Sequence, residues 1–146
     1  MADLYAIEFV GGPDGTAQPP KKLDGRLVSA KKRRTRATKP ATILAVGDRL
    51  YLGKLPQGGA LHLIDGLTDT SLGTTTLSVG TKADPTKYVN AKTLTATDTP
   101  TSLGPKAAAG VQQPVTADED IWLTIGVAAI PANVVARFSF EYTIST

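Results

Sequence analysis

The sequence predicts an all-β protein: an antiparallel β-sandwich or barrel of jelly-roll-like form, with an extended N-terminal loop or arm. Short segments of alternating apolar and polar residues recur along the chain, with turn residues (Gly, Pro, Asp or Asn) every eight to twelve residues or so. Aromatic residues make up only 5% of the chain, and β-branched threonine fills many of the alternating positions. Such side chains suit a pleated, half-buried surface. The number of segments favours a jelly roll among these folds.

Length and composition bound the domain organisation. A chain of 146 residues is about one domain long, and a compact domain of this size buries roughly two-thirds of its unfolded surface. Hydrophobic residues account for 41% and charged residues for 20%, which is ordinary for a globular protein and argues against wholesale disorder. We therefore expect residues 1–146 to form a single β domain, with residues 11–25 as an extended loop or arm.

The predicted strands follow the alternation. Residues 121–127 and 134–144 show it most strongly, and we expect these two segments to pair as an antiparallel hairpin. Pro56 and Gly58 predict the turn that leads into a central strand. An Asp-Pro pair at residues 84–85 predicts the one helix start, of two turns at most. The remaining predicted strands are residues 4–10, 42–46, 49–52, 60–64, 74–80 and 93–97, and residues 97–104 are expected to form a loop.

The net charge of +3 is unevenly distributed along the chain. Residues 1–40 carry nine Lys or Arg against four Asp or Glu, and the run at residues 31–36 is the centre of this basic region. Such a run can neutralise phosphates, yet no aromatic residue for base stacking lies within it, and no helix-turn-helix, zinc or RNP pattern accompanies it. Contact with an acidic protein surface is the favoured role. The candidate partner-binding residues are Lys31, Lys32, Arg33, Arg34, Arg36 and Lys39, together with Pro19, Pro20, Lys21 and Lys22 in the N-terminal arm.

Residue types that carry catalysis are scarce in the sequence. It contains no cysteine, one histidine (His62) and one tryptophan (Trp122). The carboxylates at residues 118–120 are consecutive, and consecutive side chains of an extended chain point to alternate faces, so we interpret them as a charged turn. We therefore expect no catalytic, cofactor-binding or metal-binding residues. An enzyme, for example one acting on carbohydrate on a jelly-roll scaffold, ranks below a binding or assembly module.

Membrane targeting is not predicted. No apolar stretch approaches the roughly 18 to 20 residues that a bilayer-spanning helix needs. The first residues lack the basic and apolar regions of a secretory signal. The absence of cysteine is compatible with assembly in the cytosol.

With these residues in view, the chain resembles small virion proteins of tailed bacteriophages. The resemblance rests on the order of four features: the basic segment 30–38, Val-Gly-Asp-Arg-Leu at 46–50, Leu-Gly-Lys-Leu-Pro-Gln-Gly at 52–58, and Glu-Tyr at 141–142. It covers residues 26–80 and the last strand.

The resemblance implies a non-enzymatic structural component of the particle. An accessory capsid protein (a cement or decoration protein) is the first interpretation, with a neck or tail component as the alternative. The implied partners are the major capsid protein or other virion proteins and further copies of this chain, without a cofactor, and the implied location is the virion, assembled in the host cytoplasm. Residues 11–25 would then lie across neighbouring subunits. A small nucleic-acid-binding β-barrel remains a further alternative, based on the basic run and an isoelectric point of about 9.2.

Overall fold

The computed structural model describes residues 31–107 and 113–144. All of the regular secondary structure in these two ranges is β-strand. No segment of these ranges forms a helix long and apolar enough to span a membrane. The predicted strand 4–10 and the predicted arm 11–25 lie outside the described residues. The strands are β1 (Lys32–Thr38), β2 (Arg49–Leu55), β3 (Ala60–Thr68), β4 (Thr76–Gly80), β5 (Val89–Thr93), β6 (Thr101–Gly104), β7 (Glu119–Gly126) and β8 (Ala136–Thr143).

These strands form two four-stranded sheets in which every pair is antiparallel. Sheet 1 has the order β1-β8-β3-β6, and sheet 2 has the order β2-β7-β4-β5. Neighbours within a sheet therefore come from distant parts of the sequence, and the edge strands β1 and β2 approach each other where the two sheets meet. The predicted all-β antiparallel sandwich is confirmed.

The core lies between the two sheets and is built by strand alternation. Ile121, Leu123 and Ile125 of β7 are buried, and so are Phe138 and Phe140 of β8. Their neighbours along each strand face outward, because successive side chains of a strand point to opposite faces. Burying one such side chain stabilises the fold by about 1.5 to 3 kcal/mol. Alternation thus identifies the inner side of both strands, except that Val127, which continues the apolar alternation of residues 121–125, is 69% exposed.

The predicted hairpin between residues 121–127 and 134–144 is wrong. Strand β7 belongs to sheet 2 and β8 to sheet 1, and residues 127–135 carry the chain from one sheet to the other. Backbone hydrogen bonds in both directions between Leu44 and Ile130, of 3.0 and 2.9 Å, tie this connection to the loop between β1 and β2. Alternation determines which face of a strand is buried. It does not distinguish two paired strands from two strands that face each other across the core.

The predicted helix start at residues 84–85 is also wrong. The Asp84 N–H donates to Thr81 Oγ1 at 3.0 Å and the Lys87 N–H donates to Asp84 O at 3.2 Å, so this segment forms turns ahead of β5. The next N–H, that of Tyr88, donates to Val79 O on β4 at 2.9 Å, so the turn does not continue as a helix. Three further segments differ from prediction: residues 42–46 form a single bridge at Leu44, residues 93–97 contribute only Thr93 to a strand, and residues 97–104 contain β6.

The turn predicted from Pro56 and Gly58 is confirmed. The Gly59 N–H donates to Pro56 O at 2.9 Å, and Gly58 has a φ of +83°, so Pro56 is the first residue of the turn rather than its first corner. Just upstream, Gly53 has a φ of +140° at a bulge in β2, and a Cβ there would lie 2.6 Å from Thr35 Cγ2 on β1. Glycine therefore allows the edges of the two sheets to approach closely.

Candidate functional site

Strand β1 carries four of the eight predicted basic residues and lies at an edge of sheet 1. Lys32, Arg34 and Arg36 occupy alternate, exposed positions, whereas Ala37 packs against the core. Exposed Lys and Arg on an edge strand discourage non-specific pairing with other strands. The basic run is thus displayed on the outer surface of a sheet rather than along a loop.

The neighbouring strands extend this charged surface. On β8, Arg137 and Glu141 face the same side as Arg36, and Ser139 between them is paired in register with Asp65 of β3. Four cationic side chains therefore share the surface with two carboxylates. We call this surface the basic face, and its charged residues are Lys32, Arg34, Arg36, Asp65, Arg137 and Glu141.

The carboxylates of the basic face are partly engaged by its own cations. Glu141 Oε2 lies 3.5 Å from Lys32 Nζ. Burial, and then the charge of Glu141, raise the pKa of Asp65 above its ordinary value, and the nearby Arg34 guanidinium opposes this shift. By contrast, Arg36 and Arg137 form no ion pair with any carboxylate in the described part of the chain.

A cleft of about 130 Å³ opens within the basic face. Three arginines, Arg34, Arg36 and Arg137, line it together with Asp65 and Pro100. Ser139, which lies beneath them, is only 4% exposed, so the long arginine side chains cover the sheet surface around it. Guanidinium groups gathered around a small cleft can bind a carboxylate through two parallel hydrogen bonds.

Lys39 is the predicted contact residue whose position differs most from the others. It is 6% exposed, and its ammonium donates to the carbonyl oxygens of Pro40 at 3.0 Å, Thr42 at 2.9 Å and Ala132 at 3.4 Å. A buried ammonium is tolerated when backbone oxygens replace its water. Lys39 therefore fixes the connection after β1 and does not belong to the basic face.

The remaining predicted contact residues lie near the basic face or beyond the described chain. Lys31 is exposed just before β1, and Arg33 points to the opposite side of the strand from Arg34. Four predicted residues of the N-terminal arm lie outside the described residues: Pro19, Pro20, Lys21 and Lys22.

The carboxylates at residues 118–120 bind different parts of the chain, although all three line one open cleft. Asp118 Oδ1 accepts a hydrogen bond from the Gln57 N–H at 2.7 Å, and Asp120 Oδ1 accepts one from the Tyr51 hydroxyl at 3.0 Å. They precede or begin β7, at the outer surface of sheet 2. Within the described residues, no group of three or more His, Cys, Asp or Glu is arranged to hold a metal ion.

Glu119 faces away from its two acidic neighbours. It forms an ion pair with Lys87 and accepts a hydrogen bond from the hydroxyl of the buried Tyr88. Burial, and then the hydrogen bond to Glu119, raise the pKa of the Tyr88 hydroxyl well above its ordinary value. The hydroxyl therefore remains a donor at any physiological pH, and Glu119 ties the loop before β5 to β7.

His62 lies at a bulge in β3 and is exposed. The bulge places Leu61 on the inner side of sheet 1, level with Tyr142, and Leu63 on the outer side, level with Glu141. In an uninterrupted strand, Leu61 and Leu63 would share one face. An extra residue at a bulge reverses the alternation that follows it.

Comparison with known proteins finds the fold and no sequence family. No protein-family model matches the chain, and no curated protein matches it. The chain is similar to one in the solved structure "Cyanophage Pam1 capsid asymmetric unit", with a TM-score of 0.55 and 15% identity over 91% of this chain and 99% of that chain. It is also similar to a chain in "Capsid of Ralstonia phage GP4", with a TM-score of 0.54 and 19% identity over 80% of this chain and 85% of that chain.

A third similar structure is "Acidic stable capsid structure of Helicobacter pylori bacteriophage KHP30", with a TM-score of 0.53 and 16% identity over 79% of this chain and 89% of that chain. At these identities the similarity shows a shared fold. The fold is one found in chains of phage capsids. The resemblance to phage virion proteins is thus confirmed at the level of the fold.

Arg137 and Asp65 belong to the basic face but were not among the predicted contact residues. The alternation of β8 places Arg137 on the outward side, which is a signal present in the sequence. What the sequence lacks is the register that sets β8 beside β1 and then β3 beside β8. A charged surface that crosses three strands from distant parts of the chain is therefore visible only in the folded protein.

Proposed function

We propose that the protein is a non-enzymatic virion structural protein that binds the capsid shell and stabilises it, as a cement or decoration protein. The observation that carries the proposal is the similarity of its fold, over 79% or more of its length, to chains in three phage capsid structures. The matched region spans 85% or more of each of those chains, so the similarity is to whole small proteins. The strand order of the two sheets is also that of the eight-stranded jelly roll, a fold that viral capsid domains use.

The basic face supplies a surface for contact with the major capsid protein. The guanidinium groups of Arg36 and Arg137, which pair with no carboxylate of residues 31–107 or 113–144, would be neutralised by an acidic surface of the shell, and the cleft beside them has room for a single acidic side chain. One exposed ion pair contributes about 0 to 1 kcal/mol, so no single pair would hold the protein in place. Several arginines per copy, and many copies that also contact each other, would give a stable layer through multivalency.

The proposal is tested by locating the protein in purified particles, with mass spectrometry for copy number and image reconstruction for position. We expect many regular copies on the shell, each with its basic face toward an acidic surface. A few copies at the neck or tail would replace this function with the alternative structural role. Absence from particles, together with DNA or RNA binding that weakens steeply with salt, would favour the nucleic-acid alternative.

A charge-removal experiment tests the contact surface itself. The test variant replaces three exposed arginines of the basic face with serine: Arg34, Arg36 and Arg137. The matched control removes three exposed cations from sheet 2 in the same way: Arg49, Lys54 and Lys92.

Only the test variant should lose occupancy on particles. Adding salt should likewise lower the occupancy of the unmodified protein, because salt screens exposed charges over about 10 Å at 0.1 M. Equal occupancy of both variants at all salt concentrations would show that the basic face is not the contact surface.

A further inference from the structure

Tyr51 and Trp122 form an aromatic pair on the outer surface of sheet 2, on the opposite side of the molecule from the basic face. They are paired in register between β2 and β7, with ring centroids 5.0 Å apart and ring planes inclined by 57°. Trp122 lies between the buried Ile121 and Leu123, so its side chain points away from the core. Tyr51 is 44% exposed. Since the core does not require this pair, its rings are available for contact with another molecule.

The groups around the aromatic pair are already held in place by the fold. The Tyr51 hydroxyl donates to Asp120 Oδ1 at 3.0 Å, and the Gln57 N–H donates to Asp118 Oδ1 at 2.7 Å. Each carboxylate keeps further lone pairs that can accept a hydrogen bond from a ligand. A site whose side chains are fixed before binding loses little conformational entropy when a ligand arrives.

Trp122 lines an open cleft of about 300 Å³. One wall is the start of β7, and the other is formed by Thr81 and Lys82 in the loop between β4 and β5. This loop lies directly on its strand, since a Cβ added to Gly80 would be 2.2 Å from Asp84 O. The wall is therefore fixed, and the volume is at the lower end of the range of about 300 to 1,000 Å³ for small-ligand sites.

The charges around the cleft are balanced. Asp118 and Asp120 are opposed by Lys82, which lines the cleft, and by Lys54, which is paired in register with Asp120. The third carboxylate of this segment is already ion-paired, as described above. Three carboxylates and one lysine line the cleft itself, and Lys54 and Lys87 beside it balance the remaining charge, so the surroundings of the cleft carry no net charge that would select a cationic or anionic ligand.

We propose that this cleft binds a neutral carbohydrate, with a sugar ring stacked on Trp122 and its hydroxyls bonded to Asp118, Asp120 and Lys82. The C–H groups of a pyranose ring form an apolar face that packs on an aromatic ring, while its hydroxyls need partners that donate and accept. The Lys82 ammonium lies 4.5 Å from the Trp122 ring centroid. Because Lys82 is exposed and such exposed cation–π contacts are weak, its side chain can move from the ring face to a sugar hydroxyl.

Carbohydrate binding does not depend on the capsid role. The basic face and the cleft lie on opposite sides of the sandwich, so one can be occupied without blocking the other. A protein bound to a shell through the basic face would turn the cleft outward. The test therefore uses the isolated full chain, so that its outcome is separate from that of the particle experiments.

The test is a titration of the protein with neutral oligosaccharides built from glucose, galactose, mannose or N-acetylglucosamine. Trp122 is the sole tryptophan of the chain, so its fluorescence reports directly on the cleft. We expect a saturable change in emission for at least one sugar type, with an affinity that is indifferent to salt. If no sugar produces a saturable change up to about 10 mM, tenfold above a dissociation constant for weak binding of about 1 mM, the proposal is overturned.

Two variants and a control test the residues. By calorimetry, Trp122→Ala should weaken binding of the responding sugar by roughly tenfold or more, as loss of a central aromatic contact does. Asp120→Asn keeps the shape of the side chain but removes its charge, and should weaken binding severalfold while the protein stays folded. Arg137→Ser, on the basic face, should leave binding unchanged. Full binding by both cleft variants, or binding of a triarginine peptide in place of any sugar, would contradict the proposal.

Discussion

The two outer surfaces of the sandwich are produced by the same strand alternation but carry different side chains. The basic face on sheet 1 gathers Arg34, Arg36 and Arg137 from two neighbouring strands. The outer surface of sheet 2 instead has Tyr51 beside Trp122, with carboxylates and lysines in similar number around them. Along the strands, the residues of each surface alternate with fully buried core residues. The fold thus allows outward chemistry to vary without disturbing the core.

The difference also separates the kinds of interaction that each surface can make. The electrostatic attraction between the arginines of the basic face and an acidic partner extends over distances near the Debye length, and it weakens when salt is added. Stacking on Trp122 acts only at contact and is insensitive to salt. A small protein of this construction can therefore attach through one surface by charge while the other surface selects a ligand by shape.

The largest effect should come from a pair of adjacent residues on β8. The two residues are neighbours in the chain, but Phe138 is 1% exposed, whereas Arg137 belongs to the basic face. Phe138→Ala should lower the free energy of unfolding by about 3 to 5 kcal/mol, because it leaves a cavity between the sheets. Arg137→Ala should change it by no more than about 0.5 kcal/mol. Urea denaturation of the isolated protein, followed by circular dichroism, measures both.

A similar pair on β7 extends this experiment to the other surface. Leu123→Ala should be strongly destabilising, and Trp122→Ala much less so. If Trp122→Ala or Arg137→Ala cost as much stability as its buried neighbour, the outward side chains would be structural, and the contrast between core and surfaces would fail.

The next effect concerns the place where the sheet edges meet. Gly53→Ala should lower the free energy of unfolding by about 2 to 4 kcal/mol. Alanine is strained at a φ of +140°, and its Cβ would clash with Thr35 Cγ2. Gly47→Ala is the matched control: its φ is +88° but its Cβ would meet no atom within 4 Å, so about 1 to 2 kcal/mol is expected.

Gly53→Ala should also weaken both proposed activities, since β1 carries the basic face and β2 carries Tyr51. Particle occupancy and sugar titration would be measured below the denaturation midpoint. Equal destabilisation by the two glycine variants would mean that the close approach of the two edges contributes nothing. Loss of one activity alone would show that the surfaces do not share this support.

The fold was predictable where strands are long and strongly alternating. Strands β7 and β8 were found with the correct inward faces because every second residue is apolar. Strand β1 was not predicted, since its inward side consists of Arg33, Thr35 and Ala37, which is typical of an edge strand. Strands β5 and β6 are only 5 and 4 residues long, too short for a periodic signal to outweigh their turn-rich surroundings.

Sheet neighbours and surface sites were not predictable to the same degree. The hairpin was wrong because the strand order of a jelly roll pairs distant segments, and local alternation carries no information on register. The basic run was visible as a run, but Arg137 joins it only through β8. The pairing of Trp122 with Tyr51 was not visible either, because nothing in the sequence places the two residues beside each other.

The smallest effect tests the role of a carboxylate within the basic face. Burial and the charge of Glu141 raise the pKa of Asp65, so the folded state binds its proton more tightly than the unfolded state does. Stability should therefore fall as the pH rises from the ordinary Asp value through the raised value. Asp65→Asn should flatten this decline and stabilise the protein at pH 7, whereas Asp98→Asn, at an exposed loop position, should not. Urea denaturation between pH 3.5 and 7 measures the slope. A steeper decline in Asp65→Asn would mean that Asp65 is held charged by the arginines, and that the basic face is less cationic than its composition indicates.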